Sequence, residues 1–109
     1  MELKIPRYRN SWNEMCRQTV EVEPETEYVL TAEARMSLYP LSYGAYLGVR
    51  TDDGAVLRDR LFLLARDNMT PMRVEFNSGD NTRLTVFCGA WCDCNAIFEA
   101  GNFSLRKKQ

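Results

Sequence analysis

Asp and Glu number 15 and Cys 4 in this 109-residue sequence, and histidine is absent. The missing imidazole excludes Ser-His-Asp and Cys-His catalysis, His-ligated zinc and histidine pH switches. Ser11, Ser37, Ser42, Ser78 and Ser104 therefore lack a base, and none stands in a nucleophile-elbow context. A pair of carboxylates could cleave a glycosidic bond, one acting as acid and the other as base or nucleophile. Yet Asp52 and Asp53 fall in an Asp-Asp-Gly turn, Asp80 falls in another turn, and Glu33 and Glu75 take outward strand positions. Their spacing singles out no acid and partner, so no catalytic residue is expected.

Cys16, Cys88, Cys92 and Cys94 are the soft metal ligands. Structural zinc sites pair cysteines about two to four residues apart in two separate knuckles. Here the second knuckle would be Cys16 alone, so no metal is expected. Several disulfide pairings are open. A bridge from Cys16 into the 88–94 region goes with a secreted domain, and a free thiol packed as a small hydrophobe goes with Cys88 on the inward side of its strand.

Aromatic and polar residues on the non-core side of the strands offer a different chemistry. Tyr46 and Arg50 point outward on one strand, Phe87 and Trp91 on another, and Glu33 and Arg35 on a third. Loops add Tyr8, Trp12, Tyr39 and Tyr43. Aromatic rings take the C–H face of a pyranose, while Arg, Glu, Asn and Asp side chains bond its hydroxyls. A slip of one residue in the alternation would exchange the two faces and return these rings to the core.

The elements that must position these groups are strands. Val20 and Val22 alternate with Thr19 and Glu21, as do Leu30, Ala32 and Ala34 with Thr31, Glu33 and Arg35. Leu47 and Val49, then Val74 and Phe76, then Leu84, Val86 and Cys88, and finally Phe103 and Leu105 supply further inward sets. Asp52-Asp53-Gly54 is the strongest hairpin signal, with Ala55–Leu57 as its return. Residues 58–65 read only weakly as strand, and Asn77–Asn81 reads as a turn. Eight or nine short strands without a helix predict an all-β protein, an antiparallel β-sandwich or barrel. Residues 1–109 form a single domain on this reading.

Charge and hydropathy remove other partners. Lys plus Arg number 14 against 15 acidic residues, a net charge of −1, which gives no cationic footprint for nucleic acid or an anionic membrane. No apolar run approaches the roughly 20 residues of a membrane helix. The start, Met1-Glu2-Leu3-Lys4, does not read as a signal peptide, and a domain cut from a longer protein is expected.

Several segments carry a family likeness. Gln18-Thr19-Val20-Glu21-Val22-Glu23-Pro24-Glu25-Thr26-Glu27-Tyr28-Val29-Leu30-Thr31-Ala32 resembles a run found in bacterial carbohydrate-binding modules. These are the β-jelly-roll, galactose-binding-domain-like modules appended to glycoside hydrolases. Ala45–Arg50 is similar to their middle strand, Asn77–Thr82 through Val86–Trp91 to their late hairpin, and Gly101-Asn102-Phe103-Ser104-Leu105 to their final strand.

The resemblance implies a jelly roll, minimal or truncated at the N-terminus, that binds a plant or microbial β-glycan without catalysis and targets an attached enzyme. It implies an extracellular location, and a ligand lying either across one sheet face, on Tyr46, Arg50, Phe87 and Trp91 with Glu33, Arg35, Arg73 and Glu75, or in the loops at one end, on Trp12, Tyr39, Tyr43 and Asn95. The family's calcium draws on an N-terminal segment that has no counterpart here and on an acidic position where this chain has Asn102. A calcium ion is therefore doubtful, and no other cofactor is expected. An open sheet edge would favour a homodimer. A protein-interaction or oligomerisation domain on the same scaffold is the alternative.

Overall fold

A computed structural model describes residues 3, 8–10, 15–37, 44–64, 68–90 and 97–108. Eight strands run in chain order: β1 (Tyr8–Asn10), β2 (Met15–Glu21), β3 (Glu27–Ser37), β4 (Gly44–Thr51), β5 (Val56–Leu63), β6 (Thr70–Asn77), β7 (Arg83–Ala90) and β8 (Ile97–Lys107). They form two four-stranded sheets, β1-β8-β3-β6 and β2-β7-β4-β5, with every pairing antiparallel. The all-β sandwich expected from the alternation is the fold observed.

Period-2 patterning decides which side chains meet between the sheets. Leu30, Ala34, Ala45, Leu47, Val49, Leu84 and Cys88 are fully buried there, and Val74, Phe76, Val86 and Leu105 complete the core. The Tyr28 ring stacks on Phe76 with centroids 5.7 Å apart, and the Tyr28 hydroxyl accepts a hydrogen bond from the Glu23 amide at 2.8 Å. Tyr28 thus serves the core edge.

The Asp-Asp-Gly turn joins β4 to β5. Gly54 takes a φ of 89°, the left-handed region that glycine reaches without a Cβ clash. The Thr51 amide bonds the Ala55 carbonyl at 2.9 Å, and the Asp53 carboxylate accepts from the Thr51 hydroxyl and the Ala55 amide. The return strand runs further than Leu57: residues 56–63 are one strand, including most of the stretch that alternation left ambiguous. It is an edge strand, which explains why apolar and charged residues are mixed on it.

Two turns that carry the chain from one sheet to the other, β2 to β3 and β6 to β7, are tied together by Ser78. This residue is fully buried. Its hydroxyl donates to the Glu23 carbonyl at 2.6 Å and accepts from the Thr26 amide at 3.0 Å, while its own amide bonds the Thr26 carbonyl at 2.9 Å. One serine without a base therefore satisfies backbone groups of two turns, a structural use of its hydroxyl.

Candidate functional site

The sandwich offers two outer faces, and alternation within each strand decides what each carries. On β4, burial of Ala45, Leu47 and Val49 turns Tyr46, Gly48 and Arg50 outward. On β7, burial of Val86 and Cys88 turns Phe87 outward. The ladders align these residues in rows. One row reads Arg17 on β2, Phe87 on β7, Gly48 on β4 and Asp59 on β5. The next row places Gly89, Tyr46 and Leu61 side by side, and the row on the other side places Thr19, Thr85, Arg50 and Val56.

Phe87 lies outside the inter-sheet core, yet it is only 4% exposed. Its ring lies against Gly48, where an added Cβ would stand 2.7 Å from Phe87 Cζ and equally close to the Arg58 carbonyl oxygen and Asp59 Cβ. Above the ring is the Arg50 guanidinium, its central carbon 4.4 Å from the ring centroid, a cation–π contact. The expectation of a Phe87 ring open to solvent is therefore corrected. The ring is a base plate, and the group presented to solvent is the guanidinium it carries. Tyr46 remains partly exposed, with Leu61 half exposed beside it.

Glu33, Arg35, Arg73 and Glu75 are on the other face. β3 and β6 pair with each other, so these four side chains project from the outer side of β1-β8-β3-β6 and cannot share a surface with Tyr46, Arg50 and Phe87. They are also engaged. Arg35 pairs with Glu99 at 2.9 Å, Arg73 with Glu75 at 3.0 Å, and Lys108 with Glu75 at 2.7 Å. Asn102, at a φ of 55° where the β3–β8 register shifts, donates to the Glu33 carboxylate at 2.5 Å. Lys108, and then Arg73, hold the Glu75 carboxyl below the usual carboxylate range. The expected eight-residue site is thus split: alternation fixes inward against outward, but not which sheet a strand joins.

Trp91, and the loop alternative Trp12, Tyr39, Tyr43 and Asn95, lie outside the described residues, as do Cys92 and Cys94. Sequence reasoning passed over Arg17, Gly48, Asp59 and Leu61. Gly48 carried a usable signal, since a glycine inside a strand marks a close approach.

Cys16 and Cys88 are register partners and both are free thiols, with Cys16 Sγ donating to the Cys88 carbonyl at 3.5 Å. Contact with the Cys16 thiol, and then burial, push the Cys88 thiol well above its ordinary range. No three His, Cys, Asp or Glu side chains among the described residues converge as metal ligands. Among the described residues no helix is long and apolar enough to cross a membrane. A groove of about 580 Å³ opens between edge strands β5 and β6, lined by Val56–Arg60 and Arg73–Glu75.

No protein-family model matches the sequence, and no curated protein matches it. Solved structures do match in fold. A family 4 carbohydrate-binding module superposes with a TM-score of 0.69 at 7% identity, covering 91% of this chain and 64% of that one. The family 61 module TmCBM61, solved with β-1,4-galactotriose, gives 0.67 at 13% identity over 94% of this chain and 69% of that one. The family 22 xylan-binding domain of Paenibacillus barcinonensis Xyn10C gives 0.60 at 9% identity over 82% of this chain and 62% of that one. The chain shares the β-sandwich fold of these carbohydrate-binding modules. It spans about two thirds of the length of the modules it resembles.

Proposed function

We propose that this domain binds carbohydrate without catalysis, across the outer face of the β2-β7-β4-β5 sheet. The observation that carries the reading is the Tyr46–Arg50 strip: a partly exposed ring and a guanidinium held over Phe87, on one sheet face of a fold shared with sugar-binding modules. The Tyr46 ring takes the C–H face of a pyranose. Arg50 and Asp59 take its polar groups. No adjacent pair of catalytic carboxylates is part of this strip. A site with one ring and few polar groups is weak alone, and linkage to an enzyme raises the effective concentration of that enzyme on its polymer. A location outside the cell, in a longer glycan-active protein, belongs to this reading.

Affinity electrophoresis of the domain in gels containing xylan, β-1,4-galactan, β-glucan, mannan or pectin tests it. Retardation in at least one gel is expected, lost in Tyr46→Ala. Free migration in all of them overturns the reading.

A second reading, a protein-interaction surface, is favoured by one observation. Val56, Leu61 and Leu63 are large apolar residues half or more exposed, and all three lie on edge strand β5. Sedimentation separates the two: a dimer that dissociates in Leu61→Lys, with no retardation by any glycan, supports the interface.

A further inference from the structure

We propose that the Arg50–Phe87 stack is a carboxylate receptor, so that the glycan taken on this face carries uronic acid. The inference rests on the carbohydrate-binding reading and names the sugar class that it left open.

Consider where the guanidinium is. Arg50 stands four residues beyond Tyr46, about 13 Å along the strand. Its head does not stay in its own row. It reaches back over Phe87, which pairs with Gly48, and so comes to within about one two-residue step, roughly 7 Å, of the Tyr46 row. A pyranose resting on Tyr46 with its C6 directed along β4 meets the guanidinium with that C6 substituent. Gly89 pairs with Tyr46 on β7 and brings no side chain to the approach.

Consider next what the guanidinium lacks. Held over the ring, it offers a planar fork of N–H donors, and such a fork matches a carboxylate with two parallel hydrogen bonds. Across the sandwich, Arg35 and Arg73 spend their forks on Glu99 and Glu75. Among the described residues, Arg50 and Arg17 stand within ion-pair distance of no carboxylate. Both flank the same ring, Arg17 as the register partner of Phe87 on β2 and Arg50 above it.

The row also orients the acid. It runs cation, ring, gap, acid: Arg17, Phe87, Gly48, Asp59. Asp59, whose Cβ lies 2.7 Å from the same point above Gly48 as Phe87 Cζ, repels a carboxylate from the β5 side and accepts hydrogen bonds from sugar hydroxyls there instead. The uronate group is left at the Arg50 guanidinium, on the side toward Arg17. A neutral hexose on the same ring would present a C6 hydroxyl, which accepts one of the two donors and leaves the other unmatched.

The test uses two acidic probes and their neutral counterparts: an oligogalacturonate and a glucuronic-acid-substituted xylo-oligosaccharide, each also with its carboxyl groups reduced to primary alcohols. Titration calorimetry at constant ionic strength reads the affinities. At least one acid is expected to bind about tenfold more tightly than its reduced form. Arg50→Lys keeps the charge but loses the fork, so it is expected to lose most of that preference, bringing the affinity for the acid down toward that for the reduced form. Arg17→Gln is expected to lose a smaller part, and Arg73→Gln, on the other face, none. Thermal melting checks that each variant is folded. Equal binding of acid and reduced forms overturns the inference while leaving carbohydrate binding intact. Preference retained in both Arg50→Lys and Arg17→Gln overturns it as well. Absence of binding to all four probes, together with free migration in every gel above, overturns both readings.

Discussion

The two outer faces of this sandwich are built from the same alternation but use their charges in opposite ways. On β1-β8-β3-β6 the long polar side chains answer one another: Arg35 with Glu99, Arg73 and Lys108 with Glu75, Asn102 with Glu33. On β2-β7-β4-β5 an aromatic ring lies across a glycine and carries an arginine that, among the described residues, pairs with no carboxylate. A face whose polar groups are mutually satisfied gives a ligand little to exchange for its own hydration. A face with a preorganised, unanswered donor set offers a net gain. Surface composition alone does not reveal the difference, because both faces carry arginine, acid and threonine.

Gly48→Ala should break the comparison most severely. The new methyl group meets the Arg58 carbonyl, Asp59 Cβ and the Phe87 ring at once, and two of these cannot swing away. Denaturant unfolding should show a loss of about 1–3 kcal/mol, the usual cost of overpacking, together with loss of glycan binding as the ring is displaced. Unchanged stability would mean that Phe87 does not lie on this glycine.

Phe87→Leu sharpens the comparison. Leucine preserves apolar cover over Gly48 but removes the π-face, so the guanidinium loses about 0.5–1 kcal/mol of stacking and its fixed orientation. Affinity for an acidic oligosaccharide should fall several-fold in calorimetry with only a small change in melting temperature. Arg35→Gln on the opposite face should leave glycan affinity unchanged, and its stability effect should stay within about 1 kcal/mol, as expected for an ion pair with solvent contact.

The smallest effect is acid-dependent and belongs to the self-paired face. Lys108 and Arg73 depress the Glu75 carboxyl, so the folded state releases this proton at lower pH than the unfolded chain does. The stabilisation is therefore complete above the ordinary carboxylate pKa and is lost as pH falls through the depressed value. Melting temperature followed downward from pH 5 should decline a little less steeply in Glu75→Gln than in the parent.

What the sequence disclosed, and what it withheld, follow from what alternation encodes. The inward sets Leu30-Ala32-Ala34 and Leu84-Val86-Cys88 are where the pattern puts them, and Asp52-Asp53-Gly54 closes the β4–β5 hairpin. Each depends on residues adjacent in the chain. Partner choice does not. β3 meets β6 across some forty positions and β8 across about seventy, and no residue of β3 states that preference. Glu33 and Arg35 were therefore legible as outward but not as belonging to the face away from Tyr46. Phe87 was legible as non-core. That it would be covered depended on Gly48 and Arg50, which reach it only through the ladder. The short strand β1 and the left-handed Asn102 that shifts the β3–β8 register carry no periodic signal at all.

One property of the β4–β5 hairpin bears on how such a surface could be reshaped. Tyr46, Gly48, Arg50, Asp59 and Leu61 lie within a single stretch of sixteen positions closed by a tight turn, while the other ladders join strands distant in sequence. A library confined to that cassette would vary ring, floor, cation and acid together. It would leave the Ser78 knot and the two turns it ties untouched, so variants would trade selectivity without renegotiating the scaffold that displays them.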